Sequence, residues 1–158
     1  MKKKAIIISI KSTQLSLKEK RILINEKPWG LILFKRNIKS LGQIRNLVKK
    51  IRKLTKDSKF PILIDEEGAT VSRLSKIISH DFSQKFFGDI YKINADITLV
   101  LYKYYIKELT AILKKIGINI NTVPVLDVLR KNTSEIIGDR SFSNDPQVVK
   151  QLGQECIK

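Results

Sequence analysis

Residues 60–74, Phe60-Pro61-Ile62-Leu63-Ile64-Asp65-Glu66-Glu67-Gly68-Ala69-Thr70-Val71-Ser72-Arg73-Leu74, decide the reading of this chain, because an apolar run stops abruptly at three carboxylates and a glycine. A short β-rich run bounded this way reads as a buried strand whose C-terminal end delivers acids. In parallel α/β folds that end is where chemistry is placed. The candidate pocket therefore starts at Asp65.

Working outward, strand and helix signals alternate. Ala5 to Ile10 reads as a short apolar strand, and Ser16-Leu17-Lys18-Glu19 as a capping box opening a helix to about Asn25. Pro28-Trp29-Gly30 breaks that helix ahead of a second strand, Leu31 to Phe34. Ser40 to Gln43 is a second capping box, behind which Leu41, Ile44, Leu47, Val48, Ile51 and Leu54 recur at helical spacing. Pro61 to Ile64 forms the third strand. His80 to Asn94 has no clean period and reads as a loop with short helical turns. Ala95 to Ile116 carries the pattern of a long amphipathic helix stopped by Gly117. Ile118 to Leu126 is strand-like and leads to Asp127, and Asp145-Pro146 supplies an N-cap and N1 proline for a last helix.

Alternating strands and helices with near-continuous apolar strands are the signature of parallel βα units, so the fold class is α/β. The strand ends are polar in turn: Lys35-Arg36-Asn37, Asp65-Glu66-Glu67 and Asp127. Three such ends on one side of a sheet predict a ligand site there. There is no internal repeat and no low-complexity linker, so one domain is the best division of the 158 residues.

Composition narrows the partners. The formal charge is +16, carried by 24 Lys and only 7 Arg scattered along the chain, beside 25 Ile and 4 Ala. Lys and Ile enrichment of this kind is what an AT-rich coding sequence produces. Phosphate binding needs a clustered stripe, and base reading favours Arg or exposed aromatics, so nucleic acid is a disfavoured partner. The basic opening Met1-Lys2-Lys3-Lys4 resembles the start of a signal peptide. The apolar run behind it ends at Lys11, short of the roughly 7 to 15 residues such a leader needs. No run approaches the ~20 apolar residues of a membrane span. The expectation is a soluble, cytoplasmic protein. Its one cysteine, Cys156, offers neither an intrachain disulfide nor metal-ligand spacing and reads as a small apolar residue on the last helix. No metal or organic cofactor is indicated, since no acid, His or Cys cluster has ligand spacing and no glycine loop grips phosphate.

Five blocks carry a resemblance: Trp29 to Ile38 (WGLILFKRNI), Ile64 to Gly68 (IDEEG), Val71 to Leu74 (VSRL), Pro124 to Val128 (PVLDV) and Ile137 to Phe142 (IGDRSF). In this order they resemble glycoside hydrolase family 3, most of all its bacterial β-N-acetylhexosaminidase branch, which trims N-acetylglucosamine from muropeptides in peptidoglycan recycling. The resemblance implies a TIM-type (β/α)8 barrel, of which this chain matches about the first four βα units, a half-barrel. It implies that Asp65 is the carboxylate accepting hydrogen bonds from hydroxyls of the terminal sugar, and that Arg73 and Arg140 line the same subsite. An ionised carboxylate takes several donors at once, and a guanidinium fork suits a hydroxyl-rich ligand or holds a neighbouring carboxylate. Asp127 reads better as a structural acid tying loops together than as a sugar contact, Glu66 and Glu67 keep both readings, and Asp139 reads as positioning the loop of Arg140.

Departures from the family matter too. The usual Asp-Gln-Glu-Gly-Gly-Arg-Val is here Asp65-Glu66-Glu67-Gly68-Ala69-Thr70-Val71. Ala69 restricts a turn that glycine leaves free at positive φ, and Thr70 removes a guanidinium, so strain in this loop is expected. A barrel of this kind typically needs about 250 residues. The family's later segment with a sugar-binding lysine and histidine, its acid/base histidine and its nucleophilic aspartate have no match in these residues. The lone His80 lies outside any such motif and reads as a surface loop residue. Retaining hydrolysis needs both a nucleophile and a proton donor, and loss of acid/base help alone costs on the order of 10² to 10⁴ in rate. The expectation is a truncated, inactive part of a β-N-acetylhexosaminidase that contributes part of its sugar subsite. A catalytically dead sugar- or muropeptide-binding module is the second reading and a basic nucleic-acid binder the third. An open sheet also exposes two edges, which predicts aggregation or self-association of the half-barrel.

Overall fold

The computed structural model describes residues 3–158; Met1 and Lys2 of the basic opening lie outside them. The chain divides into two compact units. One comprises the chain to Asp65 with Arg73–Ser79 and Ile112–Asn121, the other Glu66–Ser72, His80–Ala111 and Thr122–Lys158.

The first unit holds the sheet. Its strands are β1 (Lys4–Ile8), β2 (Pro28–Leu33), β3 (Ile62–Ile64) and β4 (Ile120–Asn121), ordered β1-β2-β3-β4 and parallel throughout. Register places Leu31, Ile32 and Leu33 beside Ile62, Leu63 and Ile64 in turn, and Leu63 and Ile64 beside Ile120 and Asn121. Parallel neighbours need a crossover, and α1 (Leu17–Asn25) and α2 (Leu41–Thr55) supply the first two. Leu31, Leu33, Ile62 and Ile64 are buried, as are Ile44, Leu47, Val48 and Ile51 of the apolar stripe predicted for α2, whose end members Leu41 and Leu54 are half-buried. Full burial of each such side chain is worth about 1.5–3 kcal/mol. At the head of α1 the Ser16 and Glu19 side chains cap reciprocally, as expected. At α2 only half of the predicted box forms. Ser40 Oγ accepts from Gln43 N–H at 3.2 Å, but the Gln43 side chain accepts from Lys39 N–H and donates to the Thr13 carbonyl.

The second unit packs α3 (Gln84–Ile93), α4 (Ala95–Ile116) as far as Ala111, and α5 (Pro146–Ile157) around Phe87, Tyr102, Phe142, Val148, Val149 and Leu152. The Phe87 and Tyr102 rings lie 4.7 Å apart, and Tyr102 meets Phe142 edge-on at 5.6 Å. Cys156 is half-buried beside this core, and burial pushes its thiol up. Asp145 caps α5 through Gln147 N–H at 2.8 Å, with Pro146 at N1. Gly117 ends α4 at φ +88, a conformation that side chains resist, and a Cβ there would stand 2.8 Å from Val48 Cγ1.

Two expectations fail here. The segment read as a loop over His80 to Asn94 contains α3, capped by Ser83 through Phe86 N–H at 3.1 Å. Its period was masked because the buried side runs through Gln84, Phe87 and Gly88 while Phe86 is exposed. Gly88 is there for space: a Cβ on it would fall 1.7 Å from the Phe142 carbonyl oxygen. The fourth strand, read as Ile118 to Leu126, is only Ile120–Asn121. Pro124 has no N–H to give a ladder. The amide of Gln84 takes the place of a strand partner for Val125, accepting from its N–H and donating to its carbonyl, both at 2.9 Å. Among the described residues no helix is long and apolar enough to cross a membrane.

Candidate functional site

In the first unit the end of β3 passes directly into Asp65, whose Oδ2 accepts from Arg73 Nη2 at 3.0 Å. The end of β2 contributes Phe34. Its ring faces the Arg36 guanidinium at 4.6 Å and that of Arg73 at 5.7 Å, a cation–π arrangement that helps orient the arginine holding Asp65. Arg36 donates to the Ile10 carbonyl and to Ser9 Oγ, while buried Asn37 donates to the carbonyls of Ile10 and Ser12 and accepts from Phe34 N–H. Two of the polar residues at this strand end therefore secure the exit of β1.

In the second unit Glu66–Ser72 folds into a tight turn, with Glu67 N–H bonded to the Val71 carbonyl and Val71 N–H to that of Gly68, both at 2.9 Å. Gly68 has φ +106, and a Cβ on it would stand 2.2 Å from the Phe82 carbonyl oxygen. Ala69 follows at φ +30. The turn thus holds a side chain in the left-handed region, as the departure from glycine predicts, at about 1–2 kcal/mol. Glu67 receives a fork from Arg140, Nε at 2.8 Å and Nη2 at 2.9 Å. Thr70 Oγ1 donates to Asp139 Oδ2 at 2.7 Å, and Gln84 donates to the Arg140 carbonyl at 2.7 Å. Ser141 Oγ donates to the Asp127 carbonyl.

The geometry sorts the candidates. Asp65 and Arg73 are brought together, whereas the fork of Arg140 is engaged by Glu67, one of the acids whose role the sequence left open. Asp139 does position the loop of Arg140, through the hydroxyl that Thr70 puts where the family carries an arginine. Asp127 ties a loop by its backbone carbonyl, while the residue itself is exposed.

His80 corrects the reading of a surface residue. Its ring is 10% exposed, with Nε2 2.7 Å from Oε1 of the fully buried Glu66 and Nδ1 3.0 Å from the Tyr105 hydroxyl. Burial, then the charge of Glu66, pushes the Tyr105 phenol up to about 12. This cluster carried no sequence signal, since its members stand 14 and 25 positions apart on a loop and a helix. Among the described residues no group of three or more His, Cys, Asp or Glu could hold a metal ion.

An open four-strand parallel sheet in strict chain order, with an arginine-held carboxylate at a strand's C-terminal end, defines a partial (β/α) barrel of the TIM type. The model of the glycosyl hydrolase family 3 N terminal domain matches residues 3–158, and the chain belongs to that family. It is 31% identical over 152 residues to a beta-hexosaminidase of Thioalkalivibrio sulfidiphilus and 33% identical over 152 residues to one of Nitrosomonas eutropha. Each alignment covers 96% of this chain and 43% of the relative. Among solved structures it is similar to NagZ from Neisseria gonorrhoeae in complex with N-trifluoroacetyl-D-glucosamine. That match has a TM-score of 0.88 and 27% identity, and covers 98% of this chain and 46% of that one. This chain thus spans less than half the length of the relatives it matches.

Proposed function

We propose that residues 1–158 are the N-terminal half of a family 3 barrel domain and supply the terminal-sugar subsite of a β-N-acetylhexosaminidase. The observation that carries this is the Asp65–Arg73 pair at the end of β3, within a chain whose relatives are named beta-hexosaminidases. Asp65, held by Arg73 through Oδ2, is a carboxylate that can accept several hydrogen bonds at once, as sugar hydroxyls would offer. Arg140, steadied by Glu67, supplies further donors. The substrate is a terminal N-acetylglucosamine on a muropeptide, released by the whole enzyme in cytoplasmic cell-wall recycling. The residues that attack the anomeric carbon and protonate the leaving oxygen are not among these 158, so this chain alone binds without turning over.

N-acetylglucosamine titrated into the purified chain tests the reading. Asp65→Ala should weaken binding by roughly 10- to 100-fold, the worth of hydrogen bonds to a charged group. Equal binding by the variant defeats the subsite assignment, and robust hydrolysis of a chromogenic N-acetylglucosaminide defeats the claim of inactivity.

A second proposal concerns association. Among the described residues the outer edge of β1 has no strand partner in the sheet, and Ile6 and Ile7 on it are about half exposed. Self-association through this edge would pair its free backbone groups. Sedimentation should show species larger than a monomer; a monodisperse monomer rules this out.

A further inference from the structure

Glu66 is completely buried, and a buried carboxylate is tolerated only where a donor meets it. His80 Nε2 meets it at 2.7 Å, and the other ring nitrogen faces Tyr105. Glu66 opens the turn whose next residue, Glu67, takes both bonds from Arg140. A phenol held in its protonated form can donate to Nδ1 when the ring is neutral and accept from it when the ring is charged. In both states Nε2 carries a proton directed at Glu66, so the bond to the turn survives a change of ring charge. The titratable groups facing the ring are Glu66 from the turn and Tyr105 from α4; neighbouring Asp81 is exposed.

We propose that His80 is a positioning residue for Arg140. By holding Glu66 through Nε2–H it sets the turn so that Glu67 receives the guanidinium fork, and Tyr105 keeps the ring in the tautomer that does so. The effect of His80 on sugar binding rests on the function proposed above; its effect on Arg140 does not.

One histidine in the chain makes the test direct. Long-range ¹H–¹⁵N spectra of the full chain between about pH 5.5 and 8 read the ring tautomer, and the Arg140 Nε–H signal reads the bond to Glu67. The wild type should show Nε2 protonated throughout. Tyr105→Phe should mix the tautomers. His80→Ala should speed exchange of the Arg140 Nε–H and weaken N-acetylglucosamine about tenfold, and His80→Gln, which keeps an N–H for Glu66, should restore both. Protonation of Nδ1 alone in the wild type, or an unmoved Arg140 signal in a folded His80→Ala, overturns the proposal. If His80→Ala does not fold, an unchanged ring in Tyr105→Phe overturns it instead. A wild type that ignores the sugar sinks the proposed function, while the ring and Arg140 signals still decide the role of His80.

Discussion

Two arginine–carboxylate pairs, one in each unit, are built on different principles. Asp65 and Arg73 are 8 positions apart and joined through Nη2 and Oδ2 at 3.0 Å, with the Asp65 side chain 20% exposed. Glu67 and Arg140 are 73 positions apart and joined by a two-pronged fork, with Glu67 only 7% exposed. The first closes a short loop at little entropic cost, and the second must hold a long one shut. A two-pronged, more buried contact is stronger and more directional. The lesson is that the local pair leaves both partners part-exposed, whereas the distant pair joins loops, buries its acid and leaves its arginine the more exposed partner.

The comparison breaks most sharply at Gly88. Gly88→Ala would drive a Cβ into the Phe142 carbonyl, two residues beyond Arg140. We expect a loss of about 3 kcal/mol in thermal melting, with the Arg140 pair disrupted and the Asp65–Arg73 pair intact by side-chain NMR. Next come the pairs themselves. Glu67→Gln should cost about 2 kcal/mol, and Asp65→Asn less than about 1 kcal/mol. Equal costs in denaturant titration would erase the distinction drawn here.

A smaller change should run the other way. Ala69→Gly relieves a φ of +30, and the relief of about 1–2 kcal/mol is partly offset by the backbone entropy of glycine. A net gain of about 0.5–1 kcal/mol should appear as a higher melting temperature; a loss would show that the turn is not strained.

The smallest effect lies away from both pairs, at Glu19. Burial alone would raise this carboxyl, but N–H groups of Lys11 and Ser16, with the Ser16 hydroxyl, outweigh it and hold the group below its ordinary 4.5. A depressed folded value means that the carboxylate stabilises fully above the unfolded chain's value and loses that contribution as pH falls through the folded one. Glu19→Gln should therefore cost about 0.5 kcal/mol at neutral pH, and the gap in melting temperature should close below about pH 4.5. A gap independent of pH would remove the charge from the cap.

Legibility followed the range of each interaction. The α2 stripe and the full span of α4 were readable because an apolar face repeats every three or four residues, and Asp65 was found because a strand ran into it. The helix α3 was hidden by Gly88 and the exposed Phe86, whose identities answer to Phe142 and to solvent rather than to a period. The short β4 was overread because Val123 and Val125 look like strand residues, although Val125 gives its backbone to Gln84.

The amino-acid order by itself determined the parallel sequence of strands and helices, the acids at the end of β3, the strained Ala69 turn and the family. Those depend on neighbours, on spacing of a few residues and on motif blocks in order. Only the tertiary structure decided that Glu67 takes the Arg140 fork, that Asp127 works through its carbonyl, and that His80 is sealed between Glu66 and Tyr105. Each of those contacts joins residues 14 to 73 positions apart, and burial selects such partners only when the chain folds back on itself.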